Sequence, residues 1–215
     1  MFFYPVVIDP ARFHESNFHA FELFQGNMTG ETEIFVANLK SGDVKGPFTT
    51  GYFYAAHHAN AYEINSSEIA VDITPTPFEN LRDYLILENM LNPPKSGSKE
   101  AEVSTAADLE LTRFRINLLT KEVTSENFPN KINSRFINKF DFPIINEQYR
   151  GKNYCVLYGV SAYAYSRTAL VKKNLCNPEK DKVRIIVLDS IRLTNAIISS
   201  EPYNIVSLNS AYISF

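Results

Sequence analysis

Glu33-Ile34-Phe35-Val36-Ala37-Asn38-Leu39-Lys40-Ser41-Gly42-Asp43-Val44 begins as a run rich in β-branched and aromatic residues, breaks at Lys40 to Asp43, and resumes at Val44. A strand that meets a tight polar turn and then reverses is a β-hairpin. The spacing returns in Phe114-Arg115-Ile116-Asn117-Leu118-Leu119-Thr120-Lys121-Glu122-Val123, so that both stretches read F-x-x-N-L-x-[S/T]-x-x-V. A hairpin that recurs in register points to repeated antiparallel sheets.

The two copies lie 79 residues apart, from Phe35 to Phe114. A propeller blade usually takes about 40–45 residues, so the offset means two blades or one blade with an insertion. The insertion is the better reading, and it falls at Thr74 to Leu109. There Pro75 and Pro77 precede Phe78 to Leu91, whose apolar residues at 78, 81, 84 and 85 keep helical spacing until Asn92-Pro93-Pro94 ends the run. A short helix is predicted there, followed by a polar loop at Lys95 to Glu100 that invites proteolysis.

Composition agrees with a β-rich chain. At 215 residues and 45% apolar content the chain can bury one sizeable core, and one domain over 1–215 is expected. Its aromatic residues are Phe and Tyr without Trp, and its Val and Ile fall in short runs. The opening Met1 to Pro10 is apolar and closed by Pro, which suits a strand. A net charge of −3 offers no basic stripe for a phosphate backbone, so no nucleic-acid partner is expected. Cys155 and Cys176 lack C-x-x-C spacing, and no charged-then-apolar leader opens the chain. Two reduced thiols and a cytoplasmic location follow as expectations. No run reaches the roughly 18 apolar residues of a span, so any membrane contact is expected to be peripheral.

The histidines are the residues that could carry chemistry. There are four, His14, His19, His57 and His58, and the adjacent pair follows the aromatic stretch Tyr52-Phe53-Tyr54-Ala55-Ala56. On a strand the two would face opposite ways, so one alone could look into a shared site. Taken singly, a strand histidine is ordinarily a hydrogen-bonded or partly exposed residue. His14 and His19, five apart, sit in no recognisable ligand pattern and read as ordinary surface or core residues.

The residues around His57 change its weight. His57-His58-Ala59-Asn60-Ala61-Tyr62-Glu63 resembles the H-x-x-N-A-[aromatic]-E signature of carotenoid cleavage oxygenases. Ile69-Ala70-Val71-Asp72-Ile73 is similar to the apolar strand with a central Asp that follows it, above all in the animal branch typified by retinal pigment epithelial membrane protein. Phe142-Pro143-Ile144-Ile145-Asn146-Glu147-Gln148-Tyr149-Arg150-Gly151-Lys152-Asn153-Tyr154, with Tyr158-Gly159, resembles the family's F-P-x-I-N-x-x-Y-x-G-K-x-Y…Y-G segment. The resemblance runs over residues 2–183, a middle portion of a full-length member, while 184–215 diverges. The position before His57, commonly Phe in the family, is Ala56.

The resemblance implies an all-β fold, part of a seven-bladed β-propeller, with Fe(II) on the axis held by four histidines from different blades. Aligned on Asn60, His57 is the ligand and His58 an outward-facing neighbour. The remaining ligands of such a site would lie before Met1 and after Phe215. Second-shell carboxylates orient such histidines, and Glu63 and Glu201 are the candidates. The implied activity is a dioxygenase that cleaves a C=C bond of a carotenoid or apocarotenoid, with isomerohydrolysis of retinyl esters as a variant in one animal branch. The implied substrate is an apolar polyene, carotenoid or retinoid. Phe53, Tyr54 and Tyr62 are candidates to line its tunnel, although core packing suits them better. The alternative is a truncated, non-catalytic member that binds an apolar ligand or a partner chain.

Overall fold

The computed structural model describes residues 1–8, 24–27, 29–55, 57–78, 110–129, 140–163, 167–187, 197–198, 205–208 and 211–214. The first strands are β1 (Phe2–Phe3), β2 (Val6–Ile8), β3 (Phe24–Gly26), β4 (Thr32–Ala37) and β5 (Val44–Thr50). β1, β4 and β5 form one antiparallel sheet, and β2 pairs with β3. A four-stranded meander follows, built from β6 (His58–Asn65), β7 (Glu68–Ile73), β8 (Leu111–Asn117) and β9 (Val123–Phe128). A second meander comprises β10 (Asp141–Ile145), β11 (Val156–Tyr163), β12 (Arg167–Asn174) and β13 (Lys182–Val187). Near the end, β14 (Ile197–Ile198), β15 (Ile205–Leu208) and β16 (Ala211–Ser214) make a small sheet.

Successive four-stranded meanders are the building units of a propeller. The two recurring hairpins occupy equivalent places in successive sheets, one joining β4 to β5 and the other β8 to β9. One step of the repeat is therefore one sheet. The excess length lies between Ile73 at the end of β7 and Leu111 at the start of β8. The helix expected from Phe78 and the loop at Lys95 to Glu100 lie outside the described residues beyond Phe78 itself.

The recurring Asn explains the motif. Asn38 Oδ1 accepts the N–H groups of Lys40 and Ser41 at 2.9 and 3.2 Å, and Asn117 Oδ1 accepts those of Leu119 and Thr120 at 2.9 and 3.0 Å. Each side chain thus closes its own turn. The fourth residue after each Asn takes positive φ, Gly42 at 79° and Lys121 at 65°. A third copy, legible only with the fold in hand, is Asn174-Leu175 at the end of β12, where Asn174 Oδ1 accepts the Asn177 N–H at 2.9 Å. It lacks both the Phe and the closing Val, which hides it from a pattern search.

The core shows how the sheets stack. Along β7, Val71 and Ile73 enter a cluster with Ile34, Phe48, Phe53 and Phe114, whereas Ala70 enters another with Tyr62, Phe140, Leu157 and Val171. Strand alternation sends odd and even residues to opposite faces, so the β6–β9 sheet is covered on both sides. That burial accounts for the unbroken apolar run in which Asp72 sits. Asp72 is fully buried, and its carboxylate is held by Arg113 Nε and Nη2 at 2.8 and 2.9 Å and by the Tyr154 hydroxyl at 2.7 Å. Tyr154 precedes β11, so this charge cluster ties the second sheet to the third.

The expectation of two reduced thiols is corrected. Cys155 and Cys176 form a disulfide with Cα atoms 5.2 Å apart. Chain spacing did not reveal it because β11 and β12 pair antiparallel, Val156 opposite Asn174, which brings the two flanking cysteines together. Among the described residues no helix is long and apolar enough to cross a membrane.

Candidate metal centre

His57 immediately precedes β6 and His58 is its first residue. The two rings part company. His58 Nε2 lies 3.4 Å from the Tyr4 hydroxyl and its ring packs edge-on against Phe2, on the side of the first sheet. Desolvation of that ring lowers its pKa. His57 turns toward the third sheet, where its Nδ1 lies 2.8 Å from Asp141 Oδ1. The adjacent histidines thus face different neighbours, and His57 alone joins a carboxylate.

Several features hold Asp141 in place. It opens β10, opposite Val160 on β11, and the register slips between Asp141 and Ile144. In this bulge Phe142 adopts φ 51°, a left-handed conformation that costs a bulky residue about 1–2 kcal/mol. The bulge turns the Phe142 ring onto His57, with centroids 4.4 Å apart. Behind β10, Gly159 admits the chain: a Cβ there would stand 2.5 Å from the Phe140 ring and 2.8 Å from the Asp141 carbonyl oxygen. This close approach explains the glycine of the Tyr158-Gly159 pair.

Asn60 ties the signature to the later segment. Its Nδ2 donates to the carbonyls of Tyr149 and Lys152 at 3.1 and 3.0 Å, and its Oδ1 accepts the Gly151 N–H at 3.0 Å. Beside this clamp, a cleft of about 540 Å³ runs between β6 and β10, walled by Ala59, Ala61, Pro143 and Ile144, with Arg150 ion-paired to Glu147 at its rim. Tyr62 and Phe53 are core residues: Tyr62 lies under the Arg113 guanidinium and Phe53 stacks on Phe114. Tyr54 packs on Tyr4 and Phe78.

An ionised carboxylate only accepts hydrogen bonds, so Nδ1 carries a proton in the His57–Asp141 pair, and the neutral form of the ring has its lone pair on Nε2. That is how an imidazole is prepared to ligate a metal. With its side chain 36% exposed, the ring can be reached. The chemistry of this donor therefore fits a metal, as a single ligand. Among the described residues, no three or more His, Cys, Asp or Glu side chains converge to hold an ion. Glu63 is exposed on β6 and makes no side-chain hydrogen bond or ion pair among the described residues. His14, His19 and Glu201 lie outside the described residues. Asp141 was missed from sequence because it precedes the Phe142-Pro143 motif and sits 84 positions from His57.

Comparison with known proteins accords with this arrangement. The family model described as retinal pigment epithelial membrane protein matches residues 1–205, beyond the residue-by-residue likeness that ends at 183. No curated protein matches by sequence. Among solved structures, cobalt-substituted ACO from Synechocystis aligns with a TM-score of 0.61 and 18% identity over 87% of this chain and 36% of that one. An ACO/RPE65 chimera aligns with a TM-score of 0.63 and 17% identity over 95% of this chain and 40% of the chimera. A mutant of Synechocystis apocarotenoid oxygenase aligns with a TM-score of 0.59 and 18% identity over 87% and 36%. The chain spans little more than a third of the length of these structures, and its sheets are part of their all-β propeller fold. By the family model and by its fold, this chain belongs to the retinal pigment epithelial membrane protein family of carotenoid oxygenases.

Proposed function

We propose that this chain contributes one wall of an Fe(II)-dependent oxygenase that cleaves a C=C bond of a carotenoid or apocarotenoid. The observation that carries the reading is the His57–Asp141 pair, which leaves Nε2 free to bind metal. His57 would hold the iron, Asp141 would orient the ring, and Phe142 would pack against its face. Bound Fe(II) would supply the activation of dioxygen. The part of this chain is to aim the donor, while Ala59, Ala61, Pro143 and Ile144 give the cleft between β6 and β10 its apolar share, beside polar lining from His58, Asn60, Glu147 and Arg150. An apolar polyene suits the apolar share of these walls, and drawing it from a lipid bilayer would call for peripheral membrane contact.

A second reading is favoured by the single ligand among the described residues. In it the chain is a non-catalytic family member that binds an apolar ligand or a partner chain.

Iron content after anaerobic Fe(II) loading separates the two. Stoichiometric iron that is lost in His57→Ala and kept in His58→Ala supports the oxygenase wall. Failure of the unaltered chain to retain iron means a family remnant, or a wall that needs further blades to complete the ligand set.

A further inference from the structure

Thr74, one residue beyond β7, is 1% exposed. Its backbone N–H donates to the His57 carbonyl at 3.3 Å, and its Oγ1 lies 3.4 Å from that carbonyl and 3.0 Å from Asp141 Oδ1. The hydroxyl has one proton, and the nearer, charged acceptor takes it. Asp141 Oδ1 thus receives two donors, Thr74 O–H and His57 Nδ1–H. A carboxylate oxygen has two lone pairs, so these donors saturate it. Rotating the carboxylate away would break both bonds at once.

We infer that Thr74 is a positioning residue that locks the Asp141 carboxylate onto His57 and so selects the Nδ1–H tautomer with a free Nε2. The inference deepens the oxygenase reading in its metal consequence, which rests on His57 as the ligand. The tautomer itself does not depend on that reading. A neutral imidazole without such a partner exchanges between two tautomers. The Asp141 side chain is 17% exposed, so water competes for it once the Thr74 hydroxyl is gone. Valine matches threonine in shape and lacks the hydroxyl, whereas serine restores it.

Nitrogen-15 NMR of the histidine rings in the metal-free full chain, at one fixed pH, tests the inference. The wild-type His57 ring should show the Nδ1–H pattern, Thr74→Val should move both ring nitrogens toward a tautomer mixture, and Thr74→Ser should restore the wild-type pattern. A folded Thr74→Val chain with wild-type His57 shifts overturns the inference. Should the valine variant not fold, the wild-type chain still decides: a slowly exchanging Thr74 hydroxyl proton supports the lock, and a fast one overturns it. Fe(II) titration then isolates the ligand reading. Binding about tenfold weaker in Thr74→Val supports both. Tautomer loss in a series whose wild-type binds no Fe(II) upholds the role of Thr74 and shows that it does not depend on a metal held by this chain alone.

Discussion

The Asn60 side chain accepts the backbone N–H of Gly151 at 3.0 Å, across 91 positions of sequence. With its two donated bonds to Tyr149 and Lys152, one amide fastens the turn between β10 and β11 to β6, the first strand of the second sheet. The His57 signature and the later F-P-x-I-N-x-x-Y-x-G-K segment are therefore two halves of one contact.

Asn60→Ala should destabilise the chain by about 2–3 kcal/mol, from three hydrogen bonds near 1 kcal/mol each. Denaturant unfolding measures the total. Hydrogen exchange should show the Gly151 amide losing its protection first, while Asn38→Ala, in an exposed turn, leaves that amide protected.

The buried cluster around Asp72 predicts a graded pair. Asp72→Ala leaves Arg113 charged and buried without its carboxylate, at a cost of about 3–5 kcal/mol. Tyr154→Phe removes one hydrogen bond to a charge that keeps both of its Arg113 contacts, at a cost of about 1.5–3 kcal/mol. Equilibrium unfolding of both variants checks the order, and equal losses would contradict the geometry.

Asp141→Ala, with His57 intact, should weaken Fe(II) binding about 10–100-fold, the usual effect of losing a carboxylate behind a histidine ligand. Glu63→Ala should leave binding unchanged, since Glu63 is exposed and makes no side-chain hydrogen bond or ion pair among the described residues. Anaerobic titration of the two variants beside the parent chain is the measurement.

Lys173 is 2% exposed over the Phe140 ring, and burial lowers its pKa to about 8 despite opposing pull from Asp181 and Glu110. Between that pKa and the ordinary 10.5, the unfolded chain holds a proton that the folded chain has released. Stability should therefore rise with pH from about 8 toward 10, by an amount of order 2–3 kcal/mol. Above about 10 the tyrosines reverse the trend, because burial raises the pKa of Tyr4 and Tyr154 in the folded state. Lys173→Met should flatten the rise below pH 10 in unfolding curves taken at successive pH values.

Gly159→Ala should cost about 1–3 kcal/mol, the range for overpacking a well-filled site, because its Cβ meets the Phe140 ring and the Asp141 carbonyl. The same push displaces Asp141, so the His57 ring should lose its Nδ1–H pattern by nitrogen-15 NMR. Gly42→Ala, at a turn with open space and φ 79°, should lower stability and leave His57 unaffected.

Much of the fold was legible along the chain. The F-x-x-N-L spacing marks hairpins because each Asn closes its turn with neighbours two and three residues away. His57 stood out through Asn60, three residues on, although the reason for that spacing is a contact with Gly151. Asp141, Thr74 and the Cys155–Cys176 disulfide left no such trace. Each depends on residues that pairing between or within sheets brings together, and no local periodicity records that.

The sequence by itself determined the strand content, the turns and the family, since alternation, turn chemistry and signature residues act over a few positions. Tertiary structure alone decided which histidine meets a carboxylate, which carboxylate it is, and what holds that carboxylate still. The physical reason is reach: a side-chain hydrogen bond spans about 3 Å, while His57, Thr74 and Asp141 are spread over 84 positions of chain and meet only when β6 pairs with β7 and the next sheet packs against them.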